Sequence, residues 1–272
     1  MNPALAGIAA ILFYSLASYA HVRALASRGV TRDSDLARFT LPALLFHAIF
    51  VYSILGTSSG IDLSFFNVAA LISLVITASM ILASIQQPVH SLYLFVFLIS
   101  ILALSACLVA NALVSGPTSA PRSVSAPLLL HIVVSVVAYS ILTLAACQSI
   151  LVLTMESRIR NRAAVELLRA LPPLESLEAM LFRFLWWGLT ILTVSIGTGF
   201  LFLTDKFSEH LSQHHTVLSV ASWVVYASLL AGHKKFGWRG VTTTRWSLVA
   251  FVLLALAYFG TKFVIELLLQ RS

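Results

Sequence analysis

The stretch LYLFVFLISILALSACLVANAL, Leu92 to Leu113, runs for 22 residues without a single charged side chain. As a helix rising ~1.5 Å per residue it is about 33 Å long, enough to cross the roughly 30 Å of a bilayer's hydrocarbon. Barrel strands are about 10 residues long and alternate apolar with polar positions. This run does neither, so it reads as a membrane-spanning helix.

Seven more segments of the same kind lie outward from it, at 4–24, 37–57, 65–85, 127–153, 183–204, 217–235 and 247–268. Short polar or Gly/Pro/Ser-rich stretches such as Gly56–Asp62 and Ser115–Pro127 separate them. The composition agrees. Of 272 residues, 59% are hydrophobic and 10% charged, where soluble domains have about 45–50% and about 25%. Mean hydropathy is +0.96. A soluble enzyme, a disordered chain and a nucleic-acid binder are excluded, the last because the few basic residues sit between lipid-grade runs. The expected fold is all-α: a polytopic bundle of about eight spans, forming one transmembrane domain over 1–272, in contact with membrane lipids.

The basic residues orient the chain. No Lys or Arg precedes the first span, unlike a cleaved signal peptide. Arg23, Arg28 and Arg32 follow it, placing the N-terminus outside and the first loop inside. With alternation, the inner side also receives Arg38, Arg158, Arg160, Arg162, Arg169, Arg183, Lys234, Lys235, Arg239 and Arg245. The outer side receives Arg122, Lys206, Lys262 and Arg271. That is 13 against 4, so both termini are expected outside. The longest loop, Ser157–Met180, falls inside, where Val165, Leu168 and Leu171 opposite Arg162 and Arg169 suggest a surface helix ended by Pro172 and Pro173.

Nothing in the sequence makes a catalytic centre. A phosphate-cradling Gly-rich loop, a nucleophile elbow and a zinc-protease histidine pair are all missing, so the chain is not expected to be an enzyme. Acidic residues barely enter the spans, and Glu266 has Lys262 one turn away to neutralise it. Cys107 and Cys147 sit in apolar runs and read as packing residues.

The eight histidines are the informative feature. His21 and His90 fall at inner helix ends, where an imidazole needs no special role. His47 lies near the middle of the second span, among Leu44, Leu45, Phe46 and Ile49. A polar ring there must be bound or paired, either to a ligand or to a neighbouring hydroxyl, and composition does not choose between these. His131 sits one turn inside the fifth span with Ser135 and Tyr139 following on the same face. His233 ends the seventh span and leads into Lys234-Lys235-Phe236-Gly237-Trp238-Arg239-Gly240. Histidines on three helices, with cations beside one, suit a porphyrin: imidazole ligates haem iron and Lys or Arg pairs with propionates. His210, His214 and His215 fall in the stretch Asp205–His215, read as a solvated outer loop. Trp186, Trp187, Trp238 and Trp246 read as interfacial anchors.

Trp223–Gly240, with Tyr226, His233 and the Gly237–Gly240 turn, followed by Tyr258-Phe259-Gly260, resembles the cytochrome c assembly family of haem-handling membrane proteins, which includes CcsA, CcmC and CcmF. So do His131 with Ser135 and Tyr139, and Pro173-Leu174-Glu175-Ser176-Leu177-Glu178 ahead of the Gly-rich sixth span. Size and layout look most like its small HemX-like or YpjD-like branch of bacterial inner membranes. The resemblance implies a role in c-type cytochrome assembly or haem delivery, alongside other assembly proteins, with haem b as cofactor. A cofactor-free regulatory or scaffolding protein of the HemX type is the alternative.

By the same resemblance, His47 and His233 fall at transmembrane haem ligands, and His131 at an outward-facing haem histidine. The expected site is therefore one haem between His47 and His233, with Lys234 and Arg239 for its propionates. His47 with His131 is the competing pair. His47 and His233 stand about 10 Å apart in depth at ~1.5 Å per residue, so the pairing requires tilted helices. The resemblance departs at two places. The tryptophan-rich loop expected between the sixth and seventh spans has no Trp from Thr204 to Thr216, and the second outward histidine lies beyond the last helix, where this sequence ends at Ser272. The resemblance therefore implies haem entry and inner binding, but not presentation to apocytochrome on the outer side.

Overall fold

In a computed structural model of the chain, the described residues are 2–26, 33–57, 60–87, 89–113, 125–160, 172–202, 210–260 and 263. Among them, eight helices are long and apolar enough to cross a membrane. These are α1 (Pro3–Ala26), α2 (Asp33–Leu55), α3 (Phe65–Ser84), α4 (Tyr93–Leu113), α5 (Ala126–Arg160), α6 (Leu174–Phe202), α7 (His210–Phe236) and α8 (Val241–Ala255). A 3₁₀ turn, Val89–Leu92, leads into α4, and a π turn, Leu256–Gly260, continues α8. The expected all-α, multi-pass architecture is present.

Several helices outrun the apolar segments that announce them. The fifth apolar run ends near 153, but α5 continues to Arg160, and α6 begins at Leu174 rather than near 183. Hydropathy marks where hydrocarbon ends, whereas helical hydrogen bonding continues into headgroups wherever side chains keep good propensity, as in Met155-Glu156-Ser157-Arg158. The most consequential extension is α7. It starts at His210, so His215 is a helical residue, correcting the loop reading of 205–215 for that position. The expected surface helix around Val165–Leu171 and the Lys262–Glu266 pair lie outside the described residues. Between α2 and α3 the stretch read as a plain loop holds a two-residue hairpin, β1 (Gly56–Thr57) with β2 (Gly60–Ile61). Asp62 closes it, its Oδ1 accepting the Ser64 N–H at 2.9 Å at the start of α3.

Contacts group the helices into two compact units, α1–α4 and α5–α8. In the first, α1 buries Ala6, Ala10, Tyr14 and Ala17 at helical spacing. Small residues on that face let helix backbones approach: a Cβ on Gly7 would stand 3.1 Å from both Phe50 and Leu108. In the second, α5 and α6 lie along each other for much of their length, and Gly188 sits directly under the Leu142 side chain, where no side chain fits without displacement. Polar bonds tie the remaining seams. Gln148 Nε2 donates to the Leu177 carbonyl at 2.9 Å, Ser149 to Ser247 at 3.1 Å, and Ser222 to the Ala250 carbonyl at 2.7 Å. The outward-turned side chains are large and apolar, among them Leu82, Leu113 and Leu201.

The charge asymmetry predicts the sidedness. An alkaline-phosphatase fusion at Ser272 is expected to be active and one after Arg169 silent; the reverse pattern would invert the topology.

Candidate functional site

In the first unit, α2 carries His47 fully out of solvent. Its Nε2 lies 3.1 Å from the Ala70 carbonyl, so that nitrogen bears the proton and donates. Nδ1 then accepts from the Tyr14 hydroxyl at 3.1 Å, and the two rings meet edge to face. Both nitrogens of the imidazole are thus used inside the bundle. Thr77 and Ser100 continue the polar layer, their hydroxyls 2.9 Å apart. Of the two partners open to a mid-span ring, the structure supplies the neighbouring hydroxyl. For His47 to ligate iron it must give up one of these bonds.

His131 in the second unit is placed differently. Its Nδ1 lies 3.1 Å from Thr198 Oγ1, which spends its own proton on the Ser195 carbonyl at 2.8 Å. Nδ1 is therefore the donor, and the lone pair falls on Nε2. The nearest described hydroxyl to that lone pair is Ser135 Oγ, at a weak 3.5 Å. Ser135 has shorter bonds elsewhere, at 2.6 Å to the His131 carbonyl and 2.7 Å to Ser195. Gly199 makes the placement possible, since a Cβ there would stand 3.2 Å from His131 Cε1. The polar stripe expected on α5 is thus a hydroxyl-lined seat shared with α6.

His215 joins this seat. It is partly buried on α7, within electrostatic reach of His131, with its ring centre 6.4 Å from that of Tyr258. The π turn is what carries Tyr258 to His215 and, one residue on, Phe259 to Tyr139 at 5.6 Å. Counting histidines in a polar stretch could not find His215; the signal was its spacing from the apolar face of α7. Deeper in the same unit, the Tyr226 hydroxyl is fully buried and has no hydrogen-bond partner among the described residues.

His233 lies at the opposite end of α7. Eighteen residues separate it from His215, about 27 Å of helix at ~1.5 Å per residue. Gly237, at φ +67°, lets the chain leave the helix by an αL turn, its N–H capping the His233 carbonyl at 3.0 Å. The turn brings the Trp238 carbonyl back to 2.7 Å from His233 Nδ1. A carbonyl only accepts, so Nδ1 is again the protonated nitrogen and Nε2 holds the lone pair. Phe182 stacks on the ring at 3.4 Å between centres, and the indole of Trp238 lies over Gly232, where a Cβ would collide with it. Lys234, Lys235 and Arg239 are exposed beside this ring.

Sequence reasoning missed the carboxylate that ties this end together. Glu178 Oε1 accepts the Gly240 N–H at 3.1 Å, joining the start of α6 to the start of α8. A Cβ on Gly240 would lie 3.8 Å from Glu156 Oε1. The two stretches that carry the family resemblance around Glu178 and Gly240 are therefore bonded to each other. Of the expected ligands, the structure places His131 and His233 in one unit and His47 in the other.

The saturation of His47 predicts a stability effect that does not depend on any cofactor. His47→Ala removes the bonds that Tyr14 and the Ala70 carbonyl make to the imidazole and opens a cavity, so it should lower apoprotein stability by roughly 2–4 kcal/mol. Thermal unfolding of the detergent-solubilised protein measures this, and an unchanged midpoint would refute the bonding pattern.

The comparisons with known proteins converge. Residues 37–269 match the cytochrome C assembly protein family. The chain is 30% identical to the Escherichia coli K12 inner membrane protein YpjD over 230 residues, covering 83% of this chain and 84% of that one. It is 39% identical to an uncharacterized 28.8 kDa protein of Azospirillum brasilense over 141 residues, about half of each chain at 52%. Protein HemX of Brevibacillus brevis is 26% identical over 212 residues, 75% of this chain and 77% of that one. No solved structure matches. With the family matched across most of its length and its eight apolar helices in place, the chain belongs to the cytochrome c assembly protein family.

Proposed function

We propose that this multi-pass membrane protein, of the bacterial inner membrane, binds haem b and serves c-type cytochrome assembly or haem delivery, without bond-making chemistry of its own. One observation carries the reading: His131 and His233 share the same tautomer. In each, Nδ1–H is pinned by an oxygen and Nε2 keeps its lone pair, the arrangement in which an imidazole is oriented for a metal. Family membership supports it.

The bonding moves the ligand assignment. His47 uses both nitrogens, so we assign iron ligation to His131 and His233 and a packing role to His47. About 27 Å of α7 separates the two ends, too far for one iron, so each end is a separate site. At the His131 end, His215 offers the second imidazole. At the His233 end, Lys234 and Arg239 are free of short ion pairs among the described residues and can hold propionates. When bound, haem supplies a redox-active iron. The chain's residues hold the ring, orient the imidazoles and, through Thr198 and the Trp238 carbonyl, raise the basicity of the ligating nitrogens. Other cytochrome c assembly proteins would be its partners.

The test is the visible spectrum of the purified full-length protein. We expect a haem band, reduced at least about tenfold at its own site by His131→Ala or His233→Ala, since second-shell losses alone cost about 10–100-fold in metal affinity. His47→Gln, which keeps an amide donor and acceptor, should retain the haem. A colourless protein under haem-sufficient growth would favour a cofactor-free regulatory or scaffolding role. Full haem in both alanine variants would disprove the ligand assignment.

A further inference from the structure

Eight residues, 85–92, join α3 to α4, and they lie toward the end of α1. His21 on α1 is 2% exposed, and its Nδ1 has no hydrogen-bond partner among the described residues. Gln87 Oε1 and Ser91 Oγ, between α3 and α4, are also buried with no hydrogen-bond partner among the described residues. Between Gln87 and Ser91 stands His90. The rings of His21 and His90 both pack against Tyr93, each 5.6 Å from its centre and steeply inclined to it, and they lie within electrostatic reach of each other.

Buried polar atoms without partners cost roughly 1–3 kcal/mol each. Here an imidazole nitrogen, an amide oxygen and a hydroxyl are left so at one end of one unit, around a second imidazole. A ligand that accepts lone pairs from all of them would remove the penalty. We infer that this end of the first unit binds one divalent transition-metal ion, ligated by His21 and His90, with Gln87 and Ser91 supplying oxygen.

The donor chemistry selects the class. Imidazole with neutral oxygen suits zinc, copper(II), iron(II) or nickel, whereas calcium and magnesium require carboxylates or all-oxygen sets. Thiolate-seeking copper(I) has no sulfur donor in the turn. Cys107, on the same helix as Tyr93, donates instead to Asn67 Oδ1 at 3.4 Å, more than three turns away. No three His, Cys, Asp or Glu side chains are grouped to hold a metal ion among the described residues, so two imidazoles carry the site and oxygen completes it. The site is independent of the haem reading, because it lies in the other unit and uses neither His131 nor His233.

Zinc stoichiometry of the tag-free, full-length protein in detergent tests it, after dialysis against buffered Zn²⁺. The wild type should hold one more equivalent than His21→Gln or His90→Gln, and the double variant should lose no more than either single one, the non-additivity of one shared ion. Equal stoichiometry in wild type and variants overturns the site, as does an additive loss. A second measurement avoids variants altogether: zinc should protect His21 and His90 of the wild type from diethyl pyrocarbonate, read by peptide mass spectrometry. Unchanged labelling of both residues overturns the site even if a variant fails to fold.

Discussion

Inside hydrocarbon there is no water to finish a hydrogen bond, so every polar group must be completed by protein or by something the protein binds. Many hydroxyls of this chain obey the rule locally. Ser15, Ser53, Thr154 and Thr190 each donate to the carbonyl one turn earlier on their own helices. An imidazole cannot be completed this way, because its two nitrogens point apart and differ in kind. How each histidine solves that problem separates them. His47 is completed on both sides by α1 and α3, and so it braces three helices of the first unit. Among the described residues, His131 and His233 have a short bond on one side only.

What holds the second pair in place is a set of small residues. Gly199 clears room for the His131 ring, and Gly237 turns the chain so that the Trp238 carbonyl meets His233. Gly232 admits the Trp238 indole, and the Gly240 N–H is anchored by Glu178 from the neighbouring helix. The glycines and the turn matter through the orientation they give an imidazole, and the same end of α7 gathers the cations that an anionic cofactor would meet.

Much of the fold was legible because lipid imposes a coarse rule: about 20 apolar residues make a span. The 22 residues from Leu92 to Leu113 show it without ambiguity. The ends were less legible, because hydropathy reports the edge of hydrocarbon and not the end of a helix. That error placed His215 in a loop, when it lies on α7 within electrostatic reach of His131. His131 and His233 were legible as candidates from their position among Ser135, Tyr139 and the Gly237–Gly240 turn. The saturation of His47 was not, because it depends on Tyr14, 33 residues away, and on a backbone carbonyl of α3. Glu178 was missed for the same reason: it bonds a backbone N–H on a distant helix, and no periodicity announces that. Buried atoms left without partners, as at His21 and Gln87, are visible only once the chain is packed.

The central claim is that a histidine with one pinned and one open nitrogen is a ligand, whereas one with both nitrogens bonded is a brace. Chemical rescue tests it most directly. In His131→Gly and His233→Gly, millimolar imidazole in the buffer should enter the vacated space and restore the haem spectrum, while the His47→Gly protein should show no imidazole-dependent change in its haem. Imidazole rescue confined to His47→Gly would contradict the account and return the iron to the middle of the second span.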